Sequence, residues 1–446
     1  MSFNADCLAV HLRQFRAAGH CYVAYSGGLD SHVLLHALVQ LLGKEKITAI
    51  HINHQLSANA DQWGQHCQHQ CESLGVNLIS EAVSVDSAGL GLEQAARNAR
   101  YAVFEKLLQE GELLLMGHHA DDQVETVLYR LLRGSGVKGL AGIPRQRKLG
   151  RGELIRPLLL YSRNQLENYA RHHQLAWIED ESNFAIDFDR NFLRHQVIPA
   201  MADRWPDYTQ RISHSASLCD EASQLLDEVA ENDFELLSER QERLGWSIAF
   251  PELLDLPLFR RSNVLRYWAS RHQQSLPGHK VLTTVERELF LARQDAAPKV
   301  SWGDTVLRRF GERIYMMPDV AVSTFHFDGV IPWNIDHWLS LPGGGSLSAC
   351  PTKGGGLKIV AGSRVEVCCR QGGERCRPAG RSASNTLKKL LQQTHLEPWL
   401  RDCAPLIYVN RQLVAVADLW VCEGFQAGVD ESGWQLSWVP DPRFRQ

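Results

Sequence analysis

Two short stretches set reactive side chains at spacings that simple packing does not demand. Ser26-Gly27-Gly28-Leu29-Asp30-Ser31 follows the apolar run Tyr22–Tyr25 and precedes apolar residues at 34, 35, 38, 41 and 42, a helical spacing. Adjacent glycines let backbone N–H groups approach an anion closely, and Ser26 and Ser31 add hydroxyl donors. A helix starting near Asp30 turns the positive end of its dipole to the same place. Asp30 would repel a bare phosphate, but it makes sense if Mg2+ sits between its carboxylate and the phosphates. The plain alternative is a strand-to-helix turn capped by Asp30 or Ser31. The stretch is neither a Walker A loop, which needs Gly-Lys-Ser/Thr, nor a G-x-G-x-x-G fingerprint. The second stretch is His118-His119-Ala120-Asp121-Asp122-Gln123-Val124-Glu125. Asp122 and Glu125 lie three apart and share a helix face. Asp121 and Asp122 also suit the positive end of a helix with no further role.

The elements around these residues alternate. Tyr22–Tyr25, Ile47–Ile52, Asn77–Val83 and Leu113–Gly117 read as strands. The stretches 31–42, 60–74, 92–110 and 121–132 read as helices, three of them followed by glycine at 75, 111 and 134. Alternation predicts an α/β fold, a parallel doubly wound sheet with helices on both faces. Ligands of such sheets bind beyond the carboxyl ends of the strands, so the motifs at Ser26, His51–His54 and His118 should converge. Residues 162–237 read as helical. The region from 244 to 318 reads as mostly helical, with a closing hairpin at Thr305–Met317. Glycines at 343–345 and 354–356 bracket a stretch read as a linker. Residues 362–430, with one helical stretch at 384–393, read as a small α+β domain. The expected division is 1–215, 216–340 and 357–446.

The 446 residues are too many for one typical domain, and 44% hydrophobic content is enough to fold. No apolar run spans a bilayer, and the first residues lack the pattern of a signal peptide. The eleven cysteines are scattered without a CxxC pair, which reads as reduced thiols of a cytoplasmic protein. The net charge of −4 does not announce a nucleic-acid binder, so any such surface must be local. Basic residues do concentrate between Arg130 and Arg156 and again between Arg364 and Lys389.

Ser26–Ser31 resembles the pyrophosphate loop of the ATP pyrophosphatase superfamily, whose members split ATP between the α and β phosphates. Further stretches narrow the resemblance: His51-Ile52-Asn53-His54-Gln55-Leu56, Gly117–Thr126, Arg133–Leu140, Asp180-Glu181-Ser182-Asn183 and Arg190-Asn191-Phe192-Leu193-Arg194. With Gly372-Gly373-Glu374-Arg375 and Leu387–Leu391 they closely resemble the tRNA(Ile)-lysidine synthetase family, over nearly the whole chain. The resemblance implies an adenine nucleotide α-hydrolase-like catalytic domain, ATP and Mg2+ as cofactors, and ligation of free L-lysine to the wobble cytidine of a CAU-anticodon isoleucine tRNA. An adenylated cytidine is the intermediate.

Each demand of that reaction finds candidates. Ser26, Gly27, Gly28, Leu29, Asp30, Ser31, Arg97 and His118 are expected to bind ATP, with Asp30 touching Mg2+. Arg97 is the candidate cation at the α-phosphate, unless it only pairs with Glu93 on the helix surface. Asp122 and Glu125 are expected to hold the lysine ammonium, with Asp30, Arg97, Asp122 and Glu125 as the catalytic set. Adjacent histidines on a strand turn to opposite faces, which argues against a transition-metal site at 118–119 and for one ring facing ATP. Arg133, Lys138, Arg145, Arg190, Asn191, Arg194, Arg375, Lys388 and Lys389 are the candidate tRNA contacts. The oligomeric state stays open, a homodimer included. A thiolase of the same superfamily commonly carries paired reactive cysteines, and an amidotransferase relative needs a glutaminase nucleophile. A non-enzymatic RNA-binding protein has no use for the two stretches together.

Overall fold

The computed structural model describes residues 3–12, 19–55, 59–84, 91–179, 189–293, 296–319, 325–343, 345–360 and 362–441. Residues 180–183, singled out in the sequence, lie outside these, as do Leu56 and the side chain of Glu93. The chain forms two compact units, Met1–Leu225 and Leu226–Gln446. No described helix is long and apolar enough to cross a membrane.

The first unit runs α1 (Ala5–Leu12), β1 (Cys21–Ala24), α2 (Leu29–Leu42), β2 (Ile47–Asn53), α3 (Ala60–Leu74), β3 (Asn77–Ala82), α4 (Leu92–Leu107), β4 (Leu113–Leu115) and α5 (Ala120–Leu132). It continues with α6 (Val137–Leu140), β5 (Gln146–Leu149), β6 (Gly152–Ile155), α7 (Arg163–His172), α8 (Asp189–Phe192), α9 (Ile198–Arg204) and α10 (Tyr208–Glu235), which carries the chain into the second unit. The sheet order is β3-β2-β1-β4-β6-β5. All neighbours are parallel except β5, which runs antiparallel along the edge.

The parallel strands β1, β2, β4 and β6 are largely buried because helices cover both faces, whereas β3 at the sheet edge is mostly exposed. Leu113 and Leu115 of β4 pack with Leu8, Val23, Leu34 and Leu35, whereas Leu114 packs on the other face with Tyr101, Phe104 and Leu154. This period of two is what a strand buried on both sides requires. The expected strands and helices from 21 to 132 all form, with ends shifted by a few residues. The β5–β6 hairpin was not expected. Gln-Arg-Lys-Leu reads as a solvated basic run, and three of these four residues are exposed, as an edge strand permits.

In the second unit, helices Phe250–Asp255, Leu258–Arg271 and His279–Thr284 form. The region also builds a five-stranded antiparallel sheet from 240–241, 246–249, 299–302, 305–310 and 313–318. Only its last hairpin was legible. Trp268, Val264, Leu289 and Ile314 are buried between these helices and strands. The C-terminal part is α+β, with helix Leu387–Gln393 and sheets that include 365–368, 406–409 and 412–416.

The glycine-bracketed stretch is not a linker. Ser346–Lys353 is an eight-residue strand paired along its length with Ser432–Val439. Gly345, Gly354 and Gly356 serve close backbone approach: Gly356 has φ +78°, and a Cβ there would stand 2.6 Å from the Trp434 carbonyl oxygen. Gly356→Ala is therefore expected to destabilise the protein by about 1–3 kcal/mol in denaturant unfolding. A flexible linker would leave the midpoint unchanged.

Candidate active site

The strand order reverses between β1 and β4, and the two motif stretches leave the carboxyl ends of these strands. A crevice at such a reversal is the usual ligand site of an open α/β sheet. The loop after β1 is folded on itself. Ser26 Oγ and Ser31 Oγ lie 3.1 Å apart, Ser31 Oγ donates to Gly28 O at 3.0 Å, and Gly28 N donates to Ser26 Oγ at 3.3 Å. The N-cap of α2 is Gly28, with no side-chain cap. Neither Asp30 nor Ser31 plays the capping role, so the dipole end of a 14-residue helix stays open to an anion. Leu29 is buried in the core and anchors the helix start.

Asp30 is the point where the two motifs meet. Its Oδ2 lies 3.6 Å from His119 Nε2 and 3.5 Å from Arg163 Nη1. Its Oδ1 is buried with no hydrogen-bond partner among the described residues. Burial raises its pKa, against the pull of His119 and Arg163. Gly117 makes the approach possible, since a Cβ there would sit 3.0 Å from the Asp30 carbonyl.

The adjacent histidines turn opposite ways, and it is His119 that reaches the loop. Its ring lies 3.5 Å from the Asp122 carboxylate and is 2% exposed. Burial opposes its charge, yet the carboxylates of Asp122, Asp121 and Asp30 outweigh burial and raise it to about 9. In the neutral ring Nδ1 accepts from Asp121 N at 3.2 Å and caps α5; in the charged ring the same nitrogen faces the Asp121 carboxylate, 3.5 Å away. Asp122 Oδ2 closes the capping box by accepting from His119 N at 2.9 Å. Asp121 also accepts from Arg163 N and from Tyr208 OH, at 2.8 and 3.2 Å. His118 instead accepts at Nδ1 from Arg156 Nε, 3.3 Å away, and burial holds it down near 4.

Glu125 is 2% exposed and is held by Arg194, whose Nε and Nη2 donate to its two oxygens at 2.6 and 3.0 Å. The same guanidinium is 3.8 Å from Asp122. Arg194 lies in a π-helical turn, Leu193–Val197, a common mark of functional segments. Arg190 donates to Thr126 Oγ1 at 2.9 Å, and Asn191 is half-buried beside it. Thus the Arg190–Arg194 segment packs on the acidic helix, a proximity that sequence spacing could not show.

Arg97 is exposed and stands over the Tyr101 ring, 4.9 Å from its centroid. His54 accepts from Arg100 at 3.3 Å, whereas His51 faces inward and donates to Tyr25 O. Arg133, Lys138 and Arg145 are exposed, and in the second unit Arg375, Lys388 and Lys389 are too. Two members of the basic run are not free for phosphates: Arg130 binds the carbonyls of Gly139 and Gly142, and Arg156 is 2% exposed. Arg156, Arg163, Tyr101 and Tyr208 carry no motif signal. They join the site only through the fold.

Comparison with known proteins agrees with this geometry. A PP-loop domain matches residues 5–201, which defines an ATP-binding protein of the PP-loop class. A TilS substrate binding domain matches 249–315, and a TilS substrate C-terminal domain matches 365–438. The tRNA(Ile)-lysidine synthase of Coxiella burnetii is 43% identical, covering 98% of this chain and 97% of its own. That of Serratia proteamaculans is 41% identical, covering 98% and 99%. The chain belongs to the tRNA(Ile)-lysidine synthase family. The solved U34-tRNA thiolase of Methanococcus maripaludis, at 15% identity and TM-score 0.38 over 48% of this chain and 80% of its own, is too distant to bear on function.

The buried imidazoles set an acid limit. Burial lowers His32, His54 and His118 from 6.5 to about 4. Between these values the unfolded chain binds more protons, so this stability is full above 6.5 and is lost as pH falls toward 4. Unfolding free energy is expected to drop from pH 7 to pH 5. His32→Gln is expected to lower the slope by roughly one proton, and an unchanged slope contradicts this.

Proposed function

We propose that the chain adenylates the wobble cytidine of a CAU-anticodon isoleucine tRNA and then joins free L-lysine to it, with the Ser26–Ser31 loop and the Asp122–Glu125 helix face serving the two steps. In the first step the cytidine ring carbonyl oxygen attacks the α-phosphate of ATP and pyrophosphate leaves. In the second the lysine ε-amine attacks the activated ring carbon, a proton is lost and AMP leaves. The observation that carries this reading is the meeting of the phosphate loop and the acidic helix at Asp30 and His119.

The backbone of Gly27 to Ser31 and the open end of α2 receive the departing pyrophosphate. Asp30 is the residue that would hold Mg2+, and its buried Oδ1, unpartnered among the described residues, fits that ligand. When bound, the ion neutralises charge on the phosphates. Arg97 supplies a cation near the α-phosphate. Asp122 and Glu125 hold the lysine ammonium, which exchanges with the Arg194 guanidinium or binds beside it on Asp122. The exposed Arg133, Lys138 and Arg145 suit the anticodon stem, with Arg190, Asn191 and Arg194 nearer the reacting base. Residues 216–340 and 357–446, with Arg375, Lys388 and Lys389, hold the rest of the tRNA. A homodimer is compatible with this chemistry and not required by it.

Protein incubated with ATP, Mg2+, radiolabelled lysine and total tRNA is expected to label one isoleucine tRNA; no transfer at saturating Mg2+ sinks the reading. Asp30→Ala is expected to abolish pyrophosphate release while tRNA still binds. Asp122→Asn is expected to raise the KM for lysine by about 10–100-fold, the worth of one charge-assisted hydrogen bond, with pyrophosphate release little changed. An unaltered KM removes Asp122 from the lysine site.

A further inference from the structure

Arg156 follows β6 and is buried, yet none of its three hydrogen-bond partners is a carboxylate. Nε donates to His118 Nδ1 at 3.3 Å, Nη1 to Pro144 O at 2.6 Å and Nη2 to Tyr101 OH at 3.3 Å. A buried guanidinium with no carboxylate partner among the described residues is costly, so its geometry calls for a reason. A guanidinium can only donate. His118 Nδ1 is therefore a bare acceptor, and the neutral ring must carry its proton on Nε2.

The second partner is equally constrained. Tyr101 OH accepts from Arg156 and from Arg97 Nη2, at 3.3 and 3.4 Å, and donates to Met116 Sδ at 3.6 Å. The guanidinium carbons of Arg97 and Arg147 each stand 4.9 Å from the centroid of the Tyr101 ring. Three cations thus gather on one phenol. Like charges repel at this range, and an anion arriving between Arg97 and Arg147 relieves that repulsion.

We propose that Arg156 is a positioning residue for the adenylation step, fixing His118 as an Nε2–H donor and ordering the Arg97–Tyr101–Arg147 stack as a subsite for a phosphate group. The proposal rests on the role given above to Arg97. The phosphate is either the α-phosphate of ATP or the tRNA phosphodiester beside the wobble nucleotide. Arg156 touches neither; it acts through the ring nitrogen and the phenol that it holds.

The test uses full-length protein with 15N-labelled histidine, together with Arg156→Met, Arg156→Lys, Arg147→Ala and Arg97→Ala. In the wild type His118 is expected to show a protonated Nε2 and a bare Nδ1. In Arg156→Met that tautomer preference is lost, and kcat/KM for pyrophosphate release falls by about 10–100-fold, the size of loss seen when the outer partner of a metal-bound histidine is removed. Arg156→Lys restores both in part. Arg147→Ala raises the KM for ATP if the subsite takes the α-phosphate, or weakens tRNA binding if it takes the phosphodiester. A proton on Nδ1 of wild-type His118 overturns the proposal, even if Arg156→Met fails to fold. An Arg147→Ala variant changed in neither ligand overturns the subsite. Full activity in Arg97→Ala defeats the earlier reading of Arg97, and it does so separately, because the His118 spectrum does not depend on it.

Discussion

One imidazole wedged among three carboxylates holds the site together. His119 sits within 3.6 Å of Asp30, Asp121 and Asp122, almost wholly out of water. Without a cation there, three negative charges would crowd the end of the sheet; with it, burial is outweighed and the ring stays charged. This clasp joins the loop after β1 to the start of α5. It leaves one oxygen of Asp30 without a partner among the described residues and sets the Asp122 carboxylate at the start of α5, where it accepts from His119 N. The helix end that remains open is that of α2, above the paired serines.

Charge is then sorted by element. The α5 side is acidic, with half-buried Asp122 and buried Glu125 balanced by Arg194. The α4 side is cationic, where Arg97, Arg147 and Arg156 surround Tyr101. A reaction that needs a polyphosphate and an ammonium side by side is served by such a division, because each ligand finds its own counter-charge. The strand order reverses between β1 and β4, the place where an open α/β sheet usually binds its ligand.

Much of this was legible because it is local. Periods of two and 3.6 residues and the glycine stops delimit β1 through α5, and the two motif stretches announce themselves by composition. What stayed hidden was set by distant partners. Gln146–Leu149 reads as solvated because an edge strand exposes most of its side chains. Ser346–Lys353 reads as linker because the glycines that bracket it signal flexibility, whereas Gly345, Gly354 and Gly356 in fact admit a neighbouring backbone. Arg156 looks like one more basic residue until β6 carries it under Tyr101 and His118. Nothing in the sequence shows that α8 and the π-turn bring Arg194 onto Glu125. Of the adjacent histidines, sequence periodicity shows that they diverge but not which one meets Asp30.

The central claim is that the phosphate loop and the acidic helix serve separable steps. The most direct measurement is a single-turnover reaction of the protein with ATP, Mg2+ and CAU-anticodon isoleucine tRNA, lysine being withheld, followed by mass analysis of the tRNA. The account predicts one pyrophosphate released per tRNA and an adenylated cytidine that converts to the lysine adduct when lysine is added. Pyrophosphate release that waits for lysine, with no adenylated tRNA at any time, contradicts it.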